Sequence, residues 1–444
     1  MTGAGWLRRF EPTRSRPFDL AARVHVLRRA VFAHPPSWLE ATQDGSPSEV
    51  AAWLVNGAAP DARERRVLAR RDAILALDDA EATAAWLWSR LLTAQHPLRA
   101  RMMLFWHDHF ATALSKVRSC AWMVEQFDLF EQFGLGSFRD LLGHVSTGPA
   151  MLRWLDAESN RRGNANENLA RELFELFTLG RGNYTEEDVR EAARAFTGWR
   201  ILRGRGHFDE RLHDRGPKRV LGRDDLERGL DVLALVCDSE QHARFVAERL
   251  LRTFVGPDRP ARAVDDLARV YRDEACRIDR TLEVLLASEV VHDSRARNTR
   301  VRSPAAFAIW ILRTLGLEVA PIPLHRAVAH MGQELLEPPD VSGWAGEEAW
   351  LSSATWLARA RFASDLGRAA APLFPAPRLE RCVRGHGPER ELDALIALLF
   401  PEGTTTHERT NLLAHAVEEA RRSRDVRLAG TFASLLLLPR SHRF

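Results

Sequence analysis

Two lysines among 63 Lys+Arg, two tyrosines and eight asparagines stand out in a chain rich in arginine and alanine. The lysines are Lys116 and Lys218, the tyrosines Tyr184 and Tyr271. Five of the asparagines (Asn160, Asn164, Asn166, Asn168, Asn183) fall within residues 160–183. In such a composition the scarce types are expected where arginine or alanine cannot supply the chemistry. The segment NENLARELFELFTLGRGNY (166–184) sets Glu167, Arg171 and Glu175 at i, i+4, i+8, on one face of a helix. A buried row of this kind must be paired. The segment HDRGPK (213–218) puts an imidazole, a carboxylate and the second lysine on a Gly-Pro turn, which could supply a general acid or base or an anion contact. His213, Lys218, Glu167, Arg171 and Glu175 are therefore the candidate catalytic residues, expected to face one shared pocket. Lys218 and His213 are expected to matter for chemistry and little for stability.

Two further segments carry binding candidates. In FWHDHF (105–110), His107 and His109 diverge by about 200° on a helix and cannot both face one ligand. If a divalent metal binds, one of them joins His213 and a carboxylate from Glu167, Glu172 or Glu175, a mixed N/O set suited to zinc, iron or manganese. In PPDVSGW (338–344), Trp344 offers a flat apolar face on a stiff loop. The binding candidates are His107, His109, Asn166, Tyr184, Trp199 and Trp344. The sequence has no P-loop, dinucleotide-binding, nucleophile-elbow, kinase or zincin motif.

The elements that must position these residues are helices. Apolar residues recur at helical spacing over 19–33, 80–95, 97–113, 120–133, 147–156, 223–237, 239–254, 259–273 and 278–290. A helix is expected from about Glu167 to Leu179, capped by Asn164 or Asn166 and ended by Gly180 in a left-handed conformation. Thr185, with Asp188 three residues on, should cap the next helix, which should end near Gly198. Polar, Gly-rich stretches at 203–222 and 337–350 read as long irregular loops, and a helix is expected from Ser352 or Ser353. Strand-like alternation is almost absent. The fold class is thus mainly α: an N-terminal tail (1–18), a large helical domain (19–370), a linker (371–378) and a C-terminal helical extension (379–444) packed on the core.

The 444 residues carry a net charge of only +3 with both signs interleaved, which excludes a nucleic-acid stripe. Four separated cysteines without CxxC fit free thiols, and no CxxCH is present for covalent haem. There is no long apolar span for a membrane helix and no apolar run behind the N-terminal charges for a signal peptide. The chain as written therefore reads as cytoplasmic, with export beside a partner or of a trimmed chain left open.

Taken together, FWHDHFATALSKV (105–117), NENLARELFELFTLGRGNYTEEDVREAARAFTGW (166–199), HDRGPKRVLG (213–222) and PPDVSGWAGEEAWL (338–351) resemble the bacterial family catalogued as domain of unknown function 1800, in order and over about residues 20–440. The resemblance implies a mostly α-helical protein. It also implies a partner resembling the alkaline-phosphatase and sulfatase superfamily, encoded alongside and often exported. ARFVAERLLRTFV and LEVLLASEV more weakly resemble planctomycete proteins joined to c-type cytochromes. Three positions depart from the family pattern: Arg302 stands for a lysine, Glu347-Glu348 for a glycine-rich step, and Val290 follows Glu289 where an S-P-E-F-like end is common. The reading is an enzyme with a polar His/Glu/Arg/Lys/Asn pocket, hydrolytic in class. The alternative is a non-catalytic binding or scaffold partner of such an enzyme.

Overall fold

The protein, seen in a computed structural model, is described over residues 5–257, 261–367, 387–419 and 424–444. It is mainly α-helical, and one buried apolar cluster runs through its elements from Leu7 to Phe444. The helices used below are α1 (Leu20–Val31), α2 (Pro97–His109), α3 (Cys120–Phe133), α4 (Asn168–Glu172), α5 (Glu186–Ala195), α6 (Glu240–Phe254), α7 (Pro304–Leu315), α8 (Ser353–Gly367), α9 (Pro388–Leu399) and α10 (Arg424–Leu436). Among the described residues no helix is long and apolar enough to cross a membrane.

Local chemistry explains where the helices begin. The side chains of Asp19, His96, Ser119 and Ser303 each accept a hydrogen bond from a first-turn amide, and Pro97 and Pro304 follow two of these caps. Thr185 and Asp188 form a reciprocal capping box, as expected, but α5 ends at Ala195, before Gly198. The middle of α2 is apolar, with Leu98, Met102, Met103, Leu104, Phe105 and Trp106 all buried, so most of the helix is sunk into the core. It packs against α1 and α3.

Two expectations change. The helix expected over 167–179 is regular only in α4. Residues Leu173–Thr178 widen into a π-helix, and Gly180 (φ +80°) ends it as anticipated. Part of the stretch read as loop is an antiparallel hairpin, β1 (Trp199–Leu202) and β2 (Arg205–Phe208), with Trp199 opposite Phe208. Four-residue strands are too short for their alternation to show. The described part of the N-terminal tail packs on the rest of the chain: Leu7 and Phe10 are buried, and Phe10 stacks on His292 at 4.5 Å. The expected linker (371–378) lies outside the described residues. The C-terminal helices pack on the rest of the chain through α8 with α10 and α7 with α9.

Candidate functional site

The FWHDHF segment forms the last turns of α2, and three consecutive side chains there hold three separate segments. His107 Nε2 accepts from the Leu336 amide (3.2 Å), Asp108 Oδ1 accepts from the Trp344 amide (2.9 Å), and His109 Nε2 meets the Phe177 carbonyl (3.0 Å). The divergence that spoils His-x-His as a metal site lets it brace opposite walls. The carbonyl taken by His109 belongs to the π-helix, and the next one, of Thr178, is taken by His242 Nδ1 (3.2 Å). Terminal helix carbonyls lack intrahelical partners, and buried ones must find them elsewhere. Burial pushes His107 down to about 3 and His242 down to about 4, so both rings are neutral.

Asp108 faces the other way, into an open cleft of about 440 Å³ between α2, α6 and the 337–350 loop. Arg249, Arg252, Arg300, Glu248 and Glu347 supply its charged walls, and Phe105, Phe245, Trp344 and Trp350 its aromatic ones. The loop lies against Asp108 because residue 343 is glycine. Its φ is +84°, and a Cβ there would overlap both Asp108 Oδ1 and the Asp108 carbonyl oxygen. Arg249 Nη2 stands 4.0 Å from Asp108 Oδ2. About 38% of the Asp108 side chain is open to the cleft. Protein around that opening still desolvates the carboxyl and raises its pKa against the pull of Arg249. Arg300 is held by Glu347 (2.8 Å) and the Thr253 carbonyl (2.6 Å). Glu347, at one of the three divergent positions, thus works as a clamp.

The match to the family described as "Protein of unknown function (DUF1800)" covers residues 25–440. The chain belongs to this family. No curated protein and no solved structure matches it. In this DUF1800 chain the FWHDHF and PPDVSGW segments meet at Asp108, and FWHDHF and NENLARELFELFTLG meet at His109.

The other site residues read from the sequence fall elsewhere. Lys218 is 2% exposed, and its ammonium donates to the carbonyls of Asp214 (2.6 Å), Gly216 (3.0 Å) and Glu227 (3.0 Å). All three protons are used on main-chain carbonyls, so none is left for a ligand. His213 is 4% exposed, with Nδ1 on the Thr197 carbonyl (2.9 Å) and Nε2 on that of Glu227 (3.1 Å). Arg171 pairs with Glu167 (2.9 Å) and with Glu186 (2.7 Å) at the first turn of α5. Glu175 pairs with Arg181 (2.5 Å) and accepts from Tyr184 (3.1 Å), whose hydroxyl is pushed up to about 12 by burial and that carboxylate. The row thus sits at the start of α5 and His213 at its end, beside Thr197. The expected shared pocket is not formed, and the cleft is lined by none of these five residues.

The expected metal set is not assembled either. His107, His109 and His213 sit in separate hydrogen-bond settings, and Glu172 is half-buried with a raised pKa from desolvation and nearby Glu175. Among the described residues no three His, Cys, Asp or Glu side chains are grouped to hold an ion. Asn166 ties backbone: it accepts from the Asn168 amide (3.0 Å) and donates to the Asp156 carbonyl (3.2 Å). Trp199 packs on Phe208 in the hairpin. Of the binding candidates, Trp344 is the one that lines the cleft. Sequence reasoning missed Asp108, though Arg101, Phe105 and Asp108 sit at i, i+4, i+7, one face of α2.

Proposed function

We propose that this chain is an enzyme, hydrolytic in class, that works in the cleft over α2 with Asp108 as its general acid or base. One observation carries the reading: a single desolvated carboxyl, fixed by a main-chain amide, stands among arginines and indole rings in an open cleft. A carboxyl with a raised pKa is suited to proton transfer. Arg249 and Arg252 would draw an anionic substrate, and Trp344 and Trp350 would lie against a flat or sugar-like ring. The family resemblance adds a protein partner of the phosphatase or sulfatase kind, which could pass a product to the cleft or receive one from it. The test is turnover of 4-nitrophenyl phosphate, sulfate and acetate by the wild type and Asp108→Asn. The variant should lose about 10²–10⁴-fold in rate with its thermal midpoint little changed. Full activity in Asp108→Asn would refute the role.

A second reading is a non-catalytic binding partner that seats an anionic group in the same cleft. It is favoured by Ser342 on the cleft wall, whose hydroxyl and amide are both tied to Asp340 (2.6 and 2.7 Å) within one tight turn, which leaves that oxygen engaged in structure. Anion-dependent binding to a phosphatase-like protein without turnover would select it.

A further inference from the structure

Helix α2 brings a second charge to the cleft side, one turn before Phe105. Arg101 is 9% exposed, and it makes no hydrogen bond or ion pair with any described residue; its Nε is fully enclosed and unpartnered. The guanidinium lies over the Phe32 ring at 4.0 Å and near the Phe254 ring at 5.6 Å. It borders a chamber of about 90 Å³, several times what one water needs. Arg300, Ser303, Gln333 and Phe444 also border this chamber. Phe105, Asp108, Thr253, Arg300 and Trp350 line both chamber and cleft, so the two hollows adjoin.

Other buried arginines set a standard for comparison. Arg302 also lacks partners on all its guanidinium nitrogens, but it is sandwiched by Trp310 (4.3 Å) and Phe444 (5.2 Å) and does not border the chamber. Arg29 donates to the Ala296 carbonyl and to Thr299. Arg101 combines a buried, unpartnered cation with open space beside it. The positive field is reinforced by Arg300 and Arg29, which repel Arg101, and by the N-terminus of α7, where Ser303 and Ala306 border the chamber; the Asp108 carboxyl on the chamber wall opposes it more weakly. The first amides of α7 are already taken by Gln333 and Ser303, so what remains to hold a ligand is the guanidinium and the field.

We infer that the chamber is an oxyanion subsite in which Arg101 binds a tetrahedral anion of the phosphate or sulfate kind, free or as the head group of a substrate lying along the cleft. Arg300 flanks it, and Asp108 stands between this subsite and the outer cleft. The inference rests on the cleft being the working site, and it names the class of group that site takes.

The test is isothermal titration and thermal melting of the full chain with inorganic phosphate and with sulfate, against chloride at equal ionic strength. The wild type should show saturable binding and a rising midpoint with phosphate or sulfate. Arg101→Met should lose both, while its ligand-free midpoint equals or exceeds that of the wild type, because a buried unpaired charge is gone. Arg101→Lys keeps a charge without the planar fork and should bind at least about 10-fold more weakly. This variant decides the matter if Arg101→Met fails to fold. No saturable binding by the wild type, or unchanged affinity in either variant, would overturn the subsite. Competition by 4-nitrophenyl phosphate or sulfate assigns the head-group source, and binding of the free anion alone assigns the free one. Anion binding without any turnover would remove the enzyme reading and leave the subsite. Turnover lost in Asp108→Asn but indifferent to Arg101 would do the reverse.

Discussion

Scarce residue types mark demanding chemistry in this chain, but the demand is structural in the places where they are densest. Lysine is kept at 218 because three carbonyls converge on one point, and a compact ammonium has three protons to give them. Arginine spreads its donors over a plane and cannot do this. Asparagine is kept at 160 because its amide donates to the Ala193 carbonyl and accepts from the Asn166 amide, two tasks no arginine or alanine performs together. Lys218→Arg should therefore cost about 1–3 kcal/mol of stability, as for buried polar groups left unpaired. Urea unfolding of the variant checks this, and an unchanged midpoint would contradict it.

The neutral histidines His107 and His242 make stability depend on pH. His107 is held near 3 against an ordinary value near 6.5, so the unfolded chain binds a proton there that the folded chain refuses. The stabilising contribution is complete above pH 6.5 and is lost as the pH falls from there toward 3. His242, held near 4, acts in the same direction. In His107→Gln an amide oxygen can still accept from the Leu336 amide, but nothing titrates. Denaturation at pH 7 and pH 5 should show this variant losing less stability than the wild type between the two, by up to about 1.4 kcal/mol per pH unit. Equal slopes would contradict the assignment.

Among the elements, α2 does most of the positioning, and its role was only half legible. Its existence, its apolar character and its start at Pro97 follow from periodicity and capping chemistry. Which residue faces outward at its end does not, because two histidines flank the aspartate, and histidine draws attention as a ligand. The 3.6-residue period settles the question once helicity is taken seriously, since it aligns Asp108 with Phe105 and Arg101. The PPDVSGW loop was legible as a loop. Its contact with Asp108 was not, because nothing local says which carboxylate a Trp amide will meet. Gly343→Ala tests that contact. A left-handed φ and a clash with main chain should cost about 1–3 kcal/mol and abolish any ligand response of the cleft. A variant of full stability and full response would show that the loop does not depend on this seat.

Across the whole molecule, the mainly α-helical fold and membership of the DUF1800 family were readable from composition and ordered segments, whereas the site was displaced from where those segments seemed densest. The hairpin of 199–208 escaped notice because two short, arginine- and glycine-bearing strands carry almost no pattern. Three of the four family segments meet at α2, which buries His107 and His109 as braces and leaves Asp108 over the cleft. That convergence, and not the loop holding His213 and Lys218, is the centre of the account. Hydrogen exchange of the full chain with and without saturating phosphate measures it most directly. The account predicts slower exchange at amides around 300–301 and 342–347, with no change over 209–218. Protection confined to 209–218, or none at the cleft, would contradict it.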